Sequence, residues 1–310
     1  MKFFKWGAPF LVSALLLAWI FAAIDVDFDS ILAKLDGQTL ATFIPALVAF
    51  LGISLLIEAI CLVDVVSHTH PFSNLVVAAR IKAASYPLGI LNYALGIGAV
   101  TLLLRRRVGM SLSEAAGAVF VIGLFDLGTL VGVIVLAAAL MGTNAPGLQI
   151  GIVIAVAAAI VLGFTVLRAP ISLGWLDGLR NSRVLVAART LPLPVLLRLA
   201  GLRLVFTANF IALGWAVLQG FGVTGIPLLS LALNICVLLI VAALPIAAAG
   251  LGTGQVAFVE LFGPWADPAT LLAASLTLSF GLIVTRASIG LLFAREFTAE
   301  ALSGQQEDPE

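Results

Sequence analysis

Four ionisable side chains interrupt long apolar runs and are therefore candidates for chemistry: Glu58, Asp126, Glu260 and Arg286. An ionisable residue at the centre of a membrane helix costs about 2.5–3.5 kcal/mol on insertion scales and is a functional candidate by default. Arginine suits phosphate binding because its planar fork matches the phosphate oxygens and stays charged when buried. We expect Glu58 to pair with Arg80 or Lys82, and Glu260, which precedes Pro264, to lie in solvent near the outer face of the membrane.

Asp126 and Arg286 occupy comparable places in two apolar runs, residues 112 to 141 and 270 to 293. Two interpretations of these side chains remain open. They form a buried ion pair with a structural role, or Arg286 binds the phosphate of a lipid headgroup and Asp126 is its resting counter-ion.

Two glycine-rich segments are alike: residues 94 to 100 read ALGIGAV, and residues 250 to 256 read GLGTGQV. We expect the chain to restart as helix after Gly98 and after Gly254, where a helix N-terminus attracts anions. The two segments would then line a cavity for a headgroup, although such glycines also serve close helix packing. The candidate binding residues in these segments are Asn92, Gly96, Gly98, Pro245, Gly250, Gly252, Gly254 and Gln255.

Other kinds of site have little support in the sequence. No glycine pair is followed by Lys-Ser or Lys-Thr, so no nucleotide motif is present, and there is no G-x-S-x-G segment to support hydrolysis. His68 and His70 are two residues apart with no third ligand nearby, which is weak evidence for a metal. We therefore predict no enzyme, no metal and no cofactor.

The elements that must position these residues are membrane helices. The chain is 62% hydrophobic and 10% charged, whereas a soluble domain has about 25% charged residues. The sequence predicts an all-α polytopic membrane helix bundle, because a span needs about 20 apolar residues. At least six stretches are long enough: residues 6 to 24, 41 to 63, 112 to 141, 149 to 167, 202 to 221 and 270 to 293.

The placement of cations decides how residues 86 to 104 meet the membrane. If they crossed it, Arg105, Arg106 and Arg107 would be outside, as would the arginine-rich connection from Arg168 to Arg203, against the positive-inside rule. If they turn back, fourteen of the sixteen Lys and Arg residues are cytoplasmic, and only Lys34 is outside. We therefore predict a re-entrant hairpin here, and a second one at residues 226 to 265 that enters from the opposite face.

The resulting order indicates an inverted repeat in a single domain. Two spans, a hairpin and a third span in residues 1 to 142 recur with opposite topology in residues 148 to 297, as in inverted-repeat transporters. The prediction is thus six full spans and two re-entrant hairpins, with a polar tail at residues 298 to 310. Both termini would be cytoplasmic, in a bacterial inner membrane.

Several motifs resemble those of the flippase-like family defined by the transmembrane region of lysylphosphatidylglycerol synthases, also called the UPF0104 membrane proteins. The resemblance is carried by LNY around Asn92, LFDL around Asp126, LPIAAAGLGTGQ at residues 244 to 255, and Thr285-Arg286. Two departures stand out. The family often has a Pro-x-x-Gly-Glu element after the first asparagine, whereas the run from Ala94 to Gly98 contains no acidic residue. Gln255 stands where the family often has Glu.

The resemblance implies a lipid flippase-like protein that moves a phospholipid or another anionic amphiphile, with membrane lipids as partners and no nucleic acid. A homo-oligomer or a lipid-biosynthetic enzyme is a possible further partner. The synthase domain is not carried over to this chain. One alternative is a non-transporting accessory or scaffold for the synthesis of hopanoids, polyprenyl-linked sugars or phospholipids. Another is an intramembrane transferase, which would need a nucleophile or base that the sequence does not reveal.

Overall fold

The described part of the protein is entirely helical. The computed structural model describes residues 34–142, 185–244 and 251–303, together with residues 15, 17 and 19–21, and no strand occurs among them. The nine helices of the three ranges are α1 (Gly37–Val66), α2 (Leu75–Leu91), α3 (Tyr93–Val108), α4 (Leu112–Leu140), α5 (Val186–Thr190), α6 (Leu193–Gly220), α7 (Leu228–Ala243), α8 (Thr253–Phe262) and α9 (Pro268–Ser303).

Four of these helices are long and apolar enough to cross a membrane: α1, α4, α6 and the part of α9 from Pro268 to Phe293. The chain is therefore an integral membrane protein, in agreement with its composition. Two more predicted spans, residues 149 to 167 and most of residues 6 to 24, lie outside the described residues, as do Pro245 and Gly250. The predicted polar tail at residues 298 to 310 is helical up to Ser303, where α9 ends, and its remainder lies outside the described residues.

The helices α1 and α6 form an antiparallel pair that defines the two ends of the bundle. The Thr39 hydroxyl donates a hydrogen bond of 2.8 Å to the carbonyl of Gly220, where α1 begins and α6 ends. At the other end, Arg198 Nε lies 3.0 Å from Asp64 Oδ2. We call this second end, where α1 ends and α6 begins, the basic end, and the first the far end.

Polar caps at both ends explain where the long helices begin. At the far end Asp36 Oδ1 accepts a 2.7 Å hydrogen bond from the amide of Thr39, which lowers the pKa of Asp36 below its usual value. Asp267 caps α9 in the same way through Thr270, and its pKa is lowered too. Ser111 and Glu114 form a capping box at the start of α4.

The helices α2 and α3 fold back on each other at Asn92. This residue has extended backbone angles, and its Oδ1 accepts a 2.8 Å hydrogen bond from the amide of Ala94 at the start of α3. A Cβ added to Gly96 would lie 2.8 Å from Gly89 Cα, whereas residues seven apart in one helix are about 10 Å apart. The chain therefore reverses at Asn92, and the helix restarts at Tyr93 rather than after Gly98 as we expected, because the Asn92 side chain caps it.

The helices α7 and α8 form a second hairpin. Asn234 Nδ2 in α7 donates a 2.7 Å hydrogen bond to the carbonyl of Leu261 near the end of α8. The turn between them ends at Gly252, whose φ of 94° favours glycine, and α8 begins at the next residue. The amide of Gly252 donates a 2.6 Å hydrogen bond to Gln255 Oε1, so that Gln255 fixes the start of α8.

The two hairpins belong to opposite halves of the bundle. One buried apolar cluster, at the basic end, joins α2 and α3 to α1, α4 and α6, and includes Val66, Leu104 and Leu196. The other, at the far end, joins α7 and α8 to α1, α6 and α9, and includes Phe43 and Phe262. Helix, hairpin and helix thus occur twice, as α1 to α4 and as α6 to α9. The first helices of the two sets, α1 and α6, are antiparallel.

Candidate functional site

A cavity of about 410 Å³ lies between the two hairpins and is lined by residues from both apolar clusters. Its wall includes Asn92 and Gly96 at the turn of the first hairpin and Gly254 at the start of α8 in the second. The positive ends of the α3 and α8 dipoles therefore lie at the cavity. Four charged side chains share its wall, namely Glu58, Lys82, Asp126 and Arg286.

Arg286 offers the cavity a cation that forms no contact ion pair with any carboxylate in the described part of the chain. Its Cζ lies 5.7 Å from the ring centroid of Tyr86 and 5.9 Å from that of Phe210. The guanidinium forms no ion pair and no hydrogen bond with any other described residue. Two aromatic faces stabilise the charge by cation–π attraction and leave the five N–H donors available to a ligand.

Glu58 is the centre of a second polar group in the same wall. Lys82 Nζ lies 3.0 Å from Glu58 Oε1, and the Tyr86 hydroxyl donates a 2.8 Å hydrogen bond to Oε2. The predicted pairing of Glu58 with Arg80 or Lys82 is thus confirmed, with Lys82 as the partner. Tyr86 links this group to Arg286, because its ring contacts the Arg286 guanidinium and its hydroxyl donates to Glu58.

Asp126 is paired with Arg203 and not with Arg286. Arg203 Nη1 lies 2.9 Å from Asp126 Oδ1, and the Arg203 side chain is 1% exposed, against 30% for Asp126. Neither of the two interpretations that join Asp126 to Arg286, the structural ion pair or the resting counter-ion, is therefore found among the described contacts. The physical reason is packing: α6 brings Arg203 to the level of Asp126, whereas α9 packs against α2 and directs Arg286 at Tyr86.

Arg203 also corrects the sequence analysis in a second way. We assigned it to the cytoplasmic connection, and the span after it was expected to begin at residue 202. The helix α6 begins nine residues earlier, at Leu193, with Pro194 in its first turn, a position that proline favours. Arg203 therefore lies inside the helix, where its guanidinium also contacts the ring of Phe206, 5.1 Å from the centroid.

The structure brings together only part of the predicted site. Asn92, Gly96, Asp126, Gly254 and Arg286 line the cavity. Among the other candidates that the structure describes, Gly98, Gly252 and Gln255 do not contribute to its wall, and Glu260 is exposed near the end of α8.

Gln255 has a structural position. Its side chain is fully buried, and Nε2 donates a 2.9 Å hydrogen bond to the Ser279 hydroxyl of α9 while Oε1 accepts from Gly252. An amide supplies both a donor and an acceptor here, which an ionised carboxylate cannot. The departure from the glutamate of the resembled family therefore suits the described contacts.

Sequence reasoning did not assign Lys82, Tyr86 or Arg203 to the site, although it named Lys82 as one of two candidate partners of Glu58. Lys82 and Tyr86 stand just before Pro87 and Gly89, the residues that we used to locate the hairpin, so their proximity to its turn was a usable signal. Arg203 could have been found from Pro194, which marks a helix start about two turns before the apolar run.

Comparison with known proteins adds no assignment. The chain matches no protein-family model and no curated protein. The function proposed next therefore rests on the residues and contacts described above.

Proposed function

We propose that the protein is a flippase-like transporter that moves a phospholipid or another anionic amphiphile between the leaflets of a membrane. The observation that carries this proposal is the Arg286 guanidinium, which faces a membrane-embedded cavity without a carboxylate partner among the described residues. A half-buried cation of this kind attracts an anionic group, and its planar fork matches phosphate oxygens. The resemblance to the flippase-like family implies the same function.

The cavity also suits the apolar part of an amphiphile. Besides its charged side chains, its wall contains Leu238, Phe258 and Leu282 from the second hairpin and α9. A ligand with a phosphate at Arg286 would therefore have apolar surface to contact for its glycerol backbone and the first carbons of its chains.

We further propose that the α2–α3 hairpin is re-entrant from the basic end. Glu58 lies eight residues before the end of α1, and its contact with Lys82 places Lys82 at that level. The chain continues along α2 for nine more residues to Leu91, which puts the turn about 25 Å from the basic end of a helix about 45 Å long. The turn thus lies near the middle of α1.

The α7–α8 hairpin supports the opposite entry. The hydrogen bond of Gln255 to Ser279 places the start of α8 eleven residues along α9 from Pro268, which is about 17 Å from the far end. Both turns therefore lie at intermediate depth, with the cavity between them. This is the arrangement by which transporters with inverted repeats expose a central site to each side in turn.

Arg286→Ala is expected to lower the rate of lipid movement by at least about tenfold, because the variant loses charge-assisted hydrogen bonds worth about 1.5–3 kcal/mol. The measurement follows a fluorescent phosphatidylglycerol between the leaflets of proteoliposomes made with the purified protein. Arg106→Ala is the matched control, since Arg106 is an exposed arginine at the end of α3. We expect it to move lipid at the wild-type rate.

A second pair of variants tests the cavity without touching a charge. A Cβ at Gly254 would meet open space in the cavity wall, and one at Gly52, on the exposed face of α1, would also meet no atom within 4 Å. Gly254→Leu should block lipid movement and Gly52→Leu should not. Equal rates for wild type, Arg286→Ala and Gly254→Leu would reject the assignment of transport to this cavity. No movement even by the wild type would favour the accessory or scaffold role.

Re-entry of the first hairpin has its own test in whole cells. Asn74→Cys and Arg106→Cys, at the two ends of the α2–α3 hairpin, should react with a membrane-impermeant maleimide from the same side of the membrane. Gln38→Cys, at the start of α1, should react from the other side. The native Cys61 and Cys236 are fully buried and give a low background. Labelling of Asn74→Cys and Arg106→Cys from different sides would show that the segment crosses the membrane.

A further inference from the structure

Five charged side chains form one connected group at the cavity. Glu58 pairs with Lys82, and Asp126 pairs with Arg203, at 3.0 Å and 2.9 Å respectively. Arg286 joins them through Tyr86, and both Arg203 and Arg286 are close enough to Glu58 to interact with it electrostatically. Three cations face two carboxylates, so the group carries one net positive charge.

Among the residues that the structure describes, no further acidic side chain lines the cavity to neutralise this charge. Glu58 and Asp126 are the two carboxylates that line the cavity among the described residues. Three other acids of the described helices lie elsewhere: Asp64 pairs with Arg198 at the basic end, Glu114 caps α4, and Glu260 is exposed. The apolar stretches outside the described residues, 6–24, 149–167 and 245–250, contain no Asp, Glu, Lys or Arg.

A single uncompensated charge at this depth selects a ligand by its charge. Water solvates an ion far better than a membrane interior does, so any net charge left on the occupied site is costly. A ligand with one negative charge makes the occupied site neutral. A zwitterion leaves the net charge of the occupied site at plus one. A phosphomonoester carries about −1.5 to −2 at pH 7, so it gives the occupied site a net negative charge of up to minus one.

Resting on the function proposed above, we propose that the cavity is selective for a monoanionic phosphodiester headgroup, over phosphomonoesters and over zwitterionic phosphodiesters. Arg286 binds the phosphate, while the Glu58–Lys82 and Asp126–Arg203 pairs keep the rest of the group neutral. The carboxylates thus set the charge of the ligand although they do not bind it. Their removal should change which lipid is preferred, and not only how tightly lipids bind.

The test compares dissociation constants of three short-chain lipids for the purified protein in a neutral detergent at pH 8. Dioctanoyl phosphatidylglycerol is the monoanion, dioctanoyl phosphatidate the near-dianion and dioctanoyl phosphatidylcholine the zwitterion. The constants come from the concentration dependence of the thermal unfolding midpoint. Wild-type protein is expected to bind phosphatidylglycerol at least tenfold more tightly than either other lipid, and Arg286→Gln should lose this preference. Soluble glycerophosphoglycerol separates recognition of the headgroup alone from recognition of the whole lipid.

The decisive variant is Glu58→Gln, which keeps a side-chain acceptor and raises the net charge of the group to plus two. We expect its preference to invert, so that phosphatidate binds more tightly than phosphatidylglycerol. Asp126→Asn makes the same change of charge and should give the same inversion, which keeps the test decisive if one variant fails to fold. Equal binding of the two anionic lipids by wild type, together with transport that depends on Arg286, would overturn the charge selection and leave the proposed function standing. If the wild-type protein neither moves lipid nor binds anionic lipids, both the charge selection and the proposed function are overturned.

Discussion

Replacing Arg203 with leucine is expected to destabilise the folded protein by about 3–5 kcal/mol, the usual cost of removing one partner from a buried ion pair. The Arg203 side chain is 1% exposed and lies 2.9 Å from Asp126 Oδ1. Without the guanidinium, the Asp126 carboxylate is left in a membrane-embedded wall with no cation in contact. The measurement is reversible unfolding of the purified protein by SDS in mixed micelles, followed by tryptophan fluorescence.

A matched arginine on the same helix is the control. Arg198 also pairs with an aspartate, at 3.0 Å, but its side chain is 62% exposed. Asp64 is 14% exposed but lies two residues before the end of α1, and the Arg198 guanidinium is mostly solvated. Arg198→Leu should therefore cost less than Arg203→Leu. Equal losses of stability in Arg203→Leu and Arg198→Leu would show that the burial of Arg203 does not raise the cost of removing it.

The double variant Asp126→Leu/Arg203→Met separates the worth of the pair from the cost of breaking it. A buried ion pair that is replaced by apolar side chains of similar size is often neutral or stabilising. We therefore expect the double variant to be more stable than Arg203→Leu. Because it removes one positive and one negative charge together, it should also keep the preference for a monoanionic headgroup. Stability as low as that of Arg203→Leu would show that the pair itself holds α4 and α6 together.

Local chemistry made the hairpin turns predictable from sequence. Pro87, Gly89 and Asn92 break the apolar run, and the structure reverses the chain at Asn92, whose side chain caps the next helix. The later boundary that we expected, after Gly98, was wrong because glycine spacing was given more weight than an N-cap residue. An asparagine cap is a stronger local signal for a helix start than a glycine inside the following turn.

The pairing of charges was less predictable, since it depends on which helices pack together. Glu58 and Lys82 lie on consecutive helices, and sequence proximity named their pair correctly. Asp126 and Arg203 lie on helices from different halves of the chain, and nothing local in the sequence joins them. The repeat suggested Arg286 as the partner, but symmetry relates positions in two halves without placing them in contact.

Gly96→Ala is expected to destabilise the protein by about 1–3 kcal/mol, the range for adding a methyl group to a well-packed site. The added Cβ would lie 2.8 Å from Gly89 Cα and 3.2 Å from Gly89 N. These are backbone atoms, so the contact is relieved only if α2 and α3 move apart. The displacement would shift Asn92 and the cavity wall, and we expect the same variant to move lipid more slowly.

Gly98→Ala is the matched control, two residues further along α3, where a Cβ meets no atom within 4 Å. In a helix interior, alanine is more favourable than glycine by about 0.5–1 kcal/mol, so this variant should be slightly more stable than wild type. The opposite signs of the stability changes expected for Gly96→Ala and Gly98→Ala test whether α2 and α3 form a hairpin. In a continuous helix Gly89 and Gly96 would be about 10 Å apart, and the contact that penalises Gly96→Ala could not exist. An increase in stability for both variants, measured by the same SDS titration, would therefore contradict a chain that turns back at Asn92.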